Sequence, residues 1–302
     1  MRKSVHRFPF TTDEWRNPPV TSHHAPDFED MLGCLVPAIA RANAEIMTVR
    51  REGAIAREKA DRSPVTIADE RAEKVLLAAL AEHWPQVPVV AEENAAATGL
   101  PADAAKRFFL VDPLDGTKEF LKGGQDFTVN VALIEEGVPI FGIVACPADG
   151  RLYAGASGQV AIRAIMGDDG RLFERHEIHT RRPVAEPPVI VASKSHRNAE
   201  TDTWLAHYPQ ARLVSIGSSL KFCLVAEGKA DIYPRLGPTM EWDTAAGDAV
   251  LRAAGGRVLD ARGQAFGYGK PGFRNGWFIA FGDPDFRPAP LPKEPAEQGW
   301  HV

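Results

Sequence analysis

The stretch FFLVDPLDGTKEF, residues 108–120, limits this chain's possible folds more than any other. Four apolar residues read as a buried strand that ends at once in Asp112; Pro113 turns the chain, Asp115 follows three residues later, and Gly116-Thr117 open the next segment. Two carboxylates about 4 Å apart repel by roughly 4 kcal/mol at an effective dielectric of about 20, so acids packed this closely need raised pKa values or a bound cation. Oxygen donors without His or Cys select Mg2+ over zinc, and the Leu114 carbonyl between the two aspartates offers one more oxygen. The same string also fits an Asx-turn leading into a capped helix, and alone it supports either reading.

Other acids stand at comparable places. Glu92 and Glu93 close VPVVAEEN after an apolar run at 87–91, where a solvated loop is the plain alternative. Asp243 in EWDTAAGD begins a helix, where a carboxylate caps free amides and meets the helix dipole for about 1 kcal/mol with no catalysis involved. Asp69 ends Thr66-Ile67-Ala68-Asp69, a capping box ahead of an apolar helical run.

At 302 residues the chain has room for about two domains. Its net charge of -5 lacks the broad positive field of nonspecific nucleic-acid binders, so an anionic ligand must meet a local basic pocket, and a small ligand is expected. Cys34, Cys146 and Cys223 are far apart and form no CxxC, which predicts neither a disulfide framework nor a zinc site and points to a reducing cytoplasm. No apolar h-region follows the basic first residues and no 18-residue apolar run occurs, so neither export nor a transmembrane segment is expected.

Residues 1–26 read as an N-terminal extension and 286–302 as a proline-rich tail. Residues 27–182 read as an α+β domain. A helix starts at Asp27, which Pro37 should kink, and a second runs from Ala68 to about His83; strands follow at 87–91 and 108–111, then a meander from Phe127 punctuated by Glu136-Gly137, Asp149-Gly150 and Asp169-Gly170. A charged, proline-rich stretch around 179–188 marks a boundary. Residues 183–285 then read as an α/β domain, with strands at 189–192, 212–216 and 230–233 and helices at 198–207, 218–227 and 244–254.

The joint order of KADRSPVTIAD (59–69), VVAEEN (89–94), LVDPLDGTKEF (110–120) and EWDTAAGDAV (241–250) resembles the lithium-sensitive, Mg2+-dependent phosphomonoesterases of the inositol monophosphatase superfamily. DGTKEF in place of DGTxNF, SKSH at 193–196 and the stretch 215–247 are similar to the superfamily's bacterial 3'(2'),5'-bisphosphate nucleotidases. The resemblance implies an α/β chain folded as the layered αβαβα sandwich of the inositol monophosphatase and fructose-1,6-bisphosphatase type. It implies two or three Mg2+ per site, held by Glu92, Asp112, Asp115, Asp243 and the Leu114 carbonyl, with Asp69 near a further, weaker position. Glu92, Asp69 and Thr117 take the catalytic places, the last two orienting the attacking water. Gly116 and Thr117 meet a phosphate oxygen, while Lys194, His196, Ser218, Lys221, Arg235 and Asp243 face the nucleotide.

The implied reaction is hydrolysis of the 3'-phosphate of adenosine 3',5'-bisphosphate, and of its 5'-phosphosulfate relative, in sulfate assimilation, with millimolar Li+ inhibiting. The expected partner is thus a small phosphorylated nucleotide, without nucleic acid. A cytoplasmic place follows, with peripheral contact at the inner membrane left open, as is the choice between monomer and homodimer. The rivals are a sugar phosphatase acting on inositol monophosphate or fructose 1,6-bisphosphate, which Lys118-Glu119 and the GSSLKF segment disfavour, and a noncatalytic nucleotide sensor. Retention of every metal carboxylate and of Thr117 argues against the sensor.

Overall fold

The computed structural model describes residues 26–58, 64–193 and 197–293. Helix α1 (Phe28–Glu52) starts where the Asp27 side chain accepts from the amides of Glu29 and Asp30, at 2.9 and 3.0 Å. Met31, Leu35, Ala38, Ala42, Ile46 and Val49 recur at three- and four-residue steps and are buried. Pro37 does not divide the helix: that apolar stripe, packed on both sides of the proline, outweighs one lost backbone bond. Among the described helices α1 is long and apolar enough to cross a membrane, but its apolar face is used inside the protein.

A short hairpin follows, β1 (Ala56–Glu58) with β2 (Pro64–Thr66), and then α2 (Ile67–His83), which packs along α1. Next come β3 (Val89–Ala91), α3 (Glu92–Thr98), β4 (Arg107–Asp115), α4 (Thr117–Leu121), β5 (Thr128–Glu135), β6 (Val138–Ala145), β7 (Arg151–Ala156), β8 (Ala161–Met166) and β9 (Leu172–Glu177). Strands β3 to β9 form one sheet in sequence order, parallel between β3 and β4 and antiparallel beyond. The Glu136-Gly137 turn has positive φ at both residues, the type I′ geometry that suits a tight hairpin.

The chain continues through β10 (Val189–Ser193), α5 (Ala199–Leu205), β11 (Arg212–Ile216), α6 (Leu220–Ala226), β12 (Ile232–Arg235), β13 (Thr239–Met240), a 3-10 turn (Glu241–Asp243), α7 (Ala245–Ala253), β14 (Arg257–Asp260), a second 3-10 turn (Pro271–Phe273), β15 (Arg274–Asn275) and β16 (Phe278–Phe281). The second sheet has the order β11-β10-β12-β16-β14, with parallel crossovers on one side and antiparallel partners on the other.

Side-chain alternation sorts these elements into layers. Phe109, Val111, Val131 and Ile143 face α1 and α2, while Phe108, Leu110, Ala132 and Val144 face α6 and α7 from the opposite side of the same sheet. Val189, Val191 and Phe278 close that second core, and Ile190, Ile232 and Ile279 bury Trp204 and Leu205 beyond the second sheet. The order is helices, sheet, helices, sheet, helix: the expected αβαβα sandwich. The sequence boundary at 182/183 falls between β9 and β10, and we propose the two-domain division on that placement.

Helix α7 lies directly on the backbone of two paired glycines. Gly142 of β6 and Gly155 of β7 are register partners, and a Cβ at Gly142 would come 2.4 Å from the Ala246 carbonyl oxygen, while one at Gly155 would come 2.8 Å from Val250 Cα. Backbone cannot yield as a side-chain tip can. Gly142→Ala is therefore expected to cost about 1–3 kcal/mol by overpacking, read as a lowered midpoint in denaturant unfolding. An unchanged midpoint would mean that α7 is not seated on the sheet as described.

Candidate active site

Each expected acid is delivered by the end of a regular element. The ladder between β4 and β5 shifts register between Asp112 and Asp115, so the strand bulges where Pro113 interrupts it. Asp112 Oδ1 accepts from the Leu114 amide at 2.9 Å, which is the Asx-turn of the structural reading and leaves Oδ2 outside that turn. Gly116 then adopts φ 93°, and a Cβ there would stand 2.9 Å from the Asp126 carbonyl oxygen, so glycine is required for α4 to start with Thr117. Glu92 opens α3 directly after β3, and Asp243 closes the 3-10 turn ahead of α7 with its Oδ2 accepting from the Met240 amide at 2.8 Å.

Glu92, Asp112, Leu114, Asp115, Gly116, Thr117 and Asp243 line one cavity of about 210 Å3, together with Ser218, Lys221 and Arg235 from the second half. Asp69 stands at its edge: Oδ2 accepts from the amide and hydroxyl of Thr66 (2.9 and 2.8 Å) to complete the capping box, and Oδ1 is 3.3 Å from Thr117 Oγ1. The capping and site readings of Asp69 therefore use different oxygens. Thr117 Oγ1 is also 3.1 Å from the Leu114 carbonyl oxygen, and its single proton serves one acceptor at a time.

The electrostatics show the strain of this gathering. Burial first, then repulsion from Glu92, Asp115 and Asp243, lifts Asp112 well above the ordinary carboxylate range. Asp243 is lifted likewise, by burial and then by Asp115 and Glu92. Burial also raises Asp115, against which Lys221 and the Ser219 hydroxyl act. Asp69 rises to about 6, chiefly by burial.

Lys221 is itself buried, which lowers it to about 8, and it stands over the Tyr233 ring at 5.4 Å. Its strongest opposing influence is Asp115, so it lies against the acid cluster as well as facing the cavity. Arg235 donates through Nη2 to the Pro238 carbonyl at 2.7 Å, while its buried Nε has no hydrogen-bond partner among the described residues. Ser218 is held at φ 52°, an uncommon conformation for a residue with a Cβ. Lys194 and His196 lie outside the described residues.

Further residues of the site carry roles that their motifs do not announce. Ser219 Oγ stands 3.0 Å from Asp115 Oδ2 and 2.8 Å from the Asp243 carbonyl oxygen, and it accepts from Asn130 Nδ2 at 2.8 Å, tying three segments together. An asparagine inside the otherwise apolar VALI-flanked strand at 128–134 was the available signal for Asn130. Lys118 and Glu119 also line the cavity.

The donor set fits a hard divalent cation: several carboxylates, two of which (Asp112 and Asp243) are held well above the ordinary carboxylate range, converge on one cavity with no imidazole or thiolate in its lining. Among the described residues no three acids, His or Cys close around one point as a finished centre.

Comparison with known proteins agrees with this geometry. The inositol monophosphatase family pattern matches residues 27–277. The 3'(2'),5'-bisphosphate nucleotidase CysQ of Escherichia coli K12 is 46% identical over 222 residues, covering 72% of this chain and 86% of that protein. Its namesake from Buchnera aphidicola is 40% identical, covering 70% and 76%. Among solved structures, CysQ from Bacteroides thetaiotaomicron superposes with a TM-score of 0.70 at 35% identity, over 85% of this chain and 98% of that one.

Proposed function

The chain belongs to the inositol monophosphatase family, and from that premise we propose that it is a Mg2+-dependent phosphatase that removes the 3'-phosphate of adenosine 3',5'-bisphosphate, leaving AMP. One observation carries the reading: the carboxylates Glu92, Asp112, Asp115 and Asp243 share a single cavity with two buried cationic side chains, Lys221 and Arg235. Acids alone would suit any metal-dependent phosphomonoesterase; the added cations suit a second phosphate that is held and not cleaved. The 46% identical nucleotidase supports the same choice over a sugar phosphatase.

Mg2+ would be held by Glu92, Asp112, Asp115, Asp243 and the Leu114 carbonyl, two or three ions per site, with Asp69 near the weakest. Bound there, it supplies charge neutralisation on the phosphate and polarisation of the attacking and leaving oxygens. The chain's own part is positioning and proton handling. Thr117 Oγ1 accepts the proton of a water aimed at phosphorus while passing its own toward Asp69 Oδ1, whose other oxygen stays fixed on Thr66. Lys221 and Arg235 would hold the remote phosphate, the acids around the cation would set the 3'-phosphate in line with that water, and no protein nucleophile is required. The three cysteines are unpaired, which supports work in a reducing compartment.

Asp69 must be ionised to take the proton. Its raised pKa of about 6 predicts that kcat/KM falls as the pH drops through that value, a limb that nearby bound cations move to lower pH. Asp69→Asn should slow turnover and abolish the limb. If the variant keeps the wild-type acidic limb in a pH-rate profile, Asp69 is not the base. The reading itself is tested by identifying products: phosphorus NMR of the completed reaction should show AMP and inorganic phosphate, whereas adenosine 3'-phosphate would overturn the assignment of the cleaved bond.

A further inference from the structure

Glu73 stands outside the cavity, yet it holds the segment that brings Glu92 there. It lies on α2 one turn after Asp69, on the same helix face, and is only 5% exposed. Its two carboxylate oxygens accept from the first free amides of α3: Oε2 from Glu93 at 2.7 Å and Oε1 from Asn94 at 2.7 Å. Those amides are the orphan donors of a helix start, and α3 has no cap of its own, because its N-cap residue is Ala91. Glu92 is the first residue of α3, so the orientation of that turn sets where the Glu92 carboxylate stands.

We propose that Glu73 is a positioning residue: it caps α3 from a neighbouring helix and thereby fixes Glu92 for cation binding. This rests on the Mg2+ reading above. Helix α2 then sets two acids of the site at once, Asp69 directly and Glu92 through Glu73. The spacing of Asp69 and Glu73 by four residues gives both the same rigid reference. Partners standing behind metal ligands typically change affinity or activity by about 10- to 100-fold when removed.

Glu73→Ala and Glu73→Gln test the idea in the full-length protein, with Leu76→Ala as a control that removes buried apolar volume from the same helix without touching the α3 amides. Two readouts avoid activity: hydrogen exchange of the Glu93 and Asn94 amides, and calorimetric titration with Mg2+ alone. Glu73→Ala is expected to speed exchange at both amides at least tenfold and to weaken Mg2+ binding about 10- to 100-fold. Glu73→Gln, which keeps one acceptor oxygen, should fall between alanine and wild type. Leu76→Ala should lower the melting temperature while leaving Mg2+ affinity within about twofold.

Equal weakening by Leu76→Ala and Glu73→Ala would reduce Glu73 to a structural residue and overturn the proposal. So would unchanged Mg2+ affinity in Glu73→Ala. Failure of the Mg2+ reading has a separate mark, since wild type itself would then show no binding heat.

Discussion

Asp112→Asn and Asp243→Asn are each expected to lower hydrolysis of adenosine 3',5'-bisphosphate by more than about 100-fold at saturating Mg2+. Partners behind metal ligands already cost about 10- to 100-fold, and these carboxylates are proposed as ligands themselves. Shape is preserved, because an asparagine oxygen can still accept from the Leu114 or Met240 amide. The metal-free protein should respond in the opposite sense. A carboxyl whose folded pKa lies above its unfolded value favours the folded state while protonated, and that stability is lost as the pH rises through the folded pKa. Asp112 and Asp243 are raised by burial and by one another's neighbours, so their ionisation at neutral pH works against folding. In a chelator at pH 7.5, Asp112→Asn should therefore melt no lower than wild type, and the difference should shrink on acidification. A variant with near wild-type rate, or one that melts several degrees lower in the chelator, would contradict the metal assignment.

The second large effect concerns substrate choice. Arg235→Ala should cost about 1.5–3 kcal/mol, or roughly ten- to more than a hundredfold in kcat/KM, on the nucleotide bisphosphate and far less on inositol 1-phosphate. The buried Nε, without a hydrogen-bond partner among the described residues, is a donor that a remote phosphate would satisfy. Lys221→Ala should impair both substrates, though the bisphosphate more, because Lys221 also opposes the charge of Asp115, one of the proposed metal ligands. For Arg235→Ala the loss should appear mainly in KM, since the metal ligands position the reacting phosphate without it. Steady-state kinetics of both variants on both substrates decides: equal losses for Arg235→Ala would make it structural and bring the sugar-phosphatase alternative forward.

Some of this site was readable because its chemistry is local. Asp112, Leu114, Asp115, Gly116 and Thr117 lie within six consecutive residues, so strand, turn and helix start could be seen together. Thr66 and Asp69 announced a capping box, and the structure shows that box with one carboxylate oxygen left to face Thr117. The change of rhythm between the halves gave the boundary and the α/β character of the second half, while the layered sandwich itself came only through the family resemblance. Contacts that depend on distant pairing left no such trace. Ser219 reaches Asp115 across 104 positions and Glu73 reaches Glu93 across 20; GSSLKF contains Ser219 without revealing that partner, and Glu73 stands in no motif. Gly142 and Gly155 become partners only once β6 and β7 pair beneath α7, so their requirement for hydrogen in place of a side chain is a tertiary fact. The family resemblance places Lys221 on the nucleotide; only the fold reveals its second neighbour, Asp115.

The most direct test of the central claim is phosphate release by the purified protein from adenosine 3',5'-bisphosphate, inositol 1-phosphate and fructose 1,6-bisphosphate, each with Mg2+ and with Mg2+ chelated. A Mg2+-dependent nucleotidase built as described should show the highest kcat/KM on the nucleotide, by at least about tenfold over inositol 1-phosphate, which lacks a second phosphate for Arg235, and no turnover of any substrate in chelator. A higher kcat/KM on either sugar phosphate, or full activity without Mg2+, would contradict it.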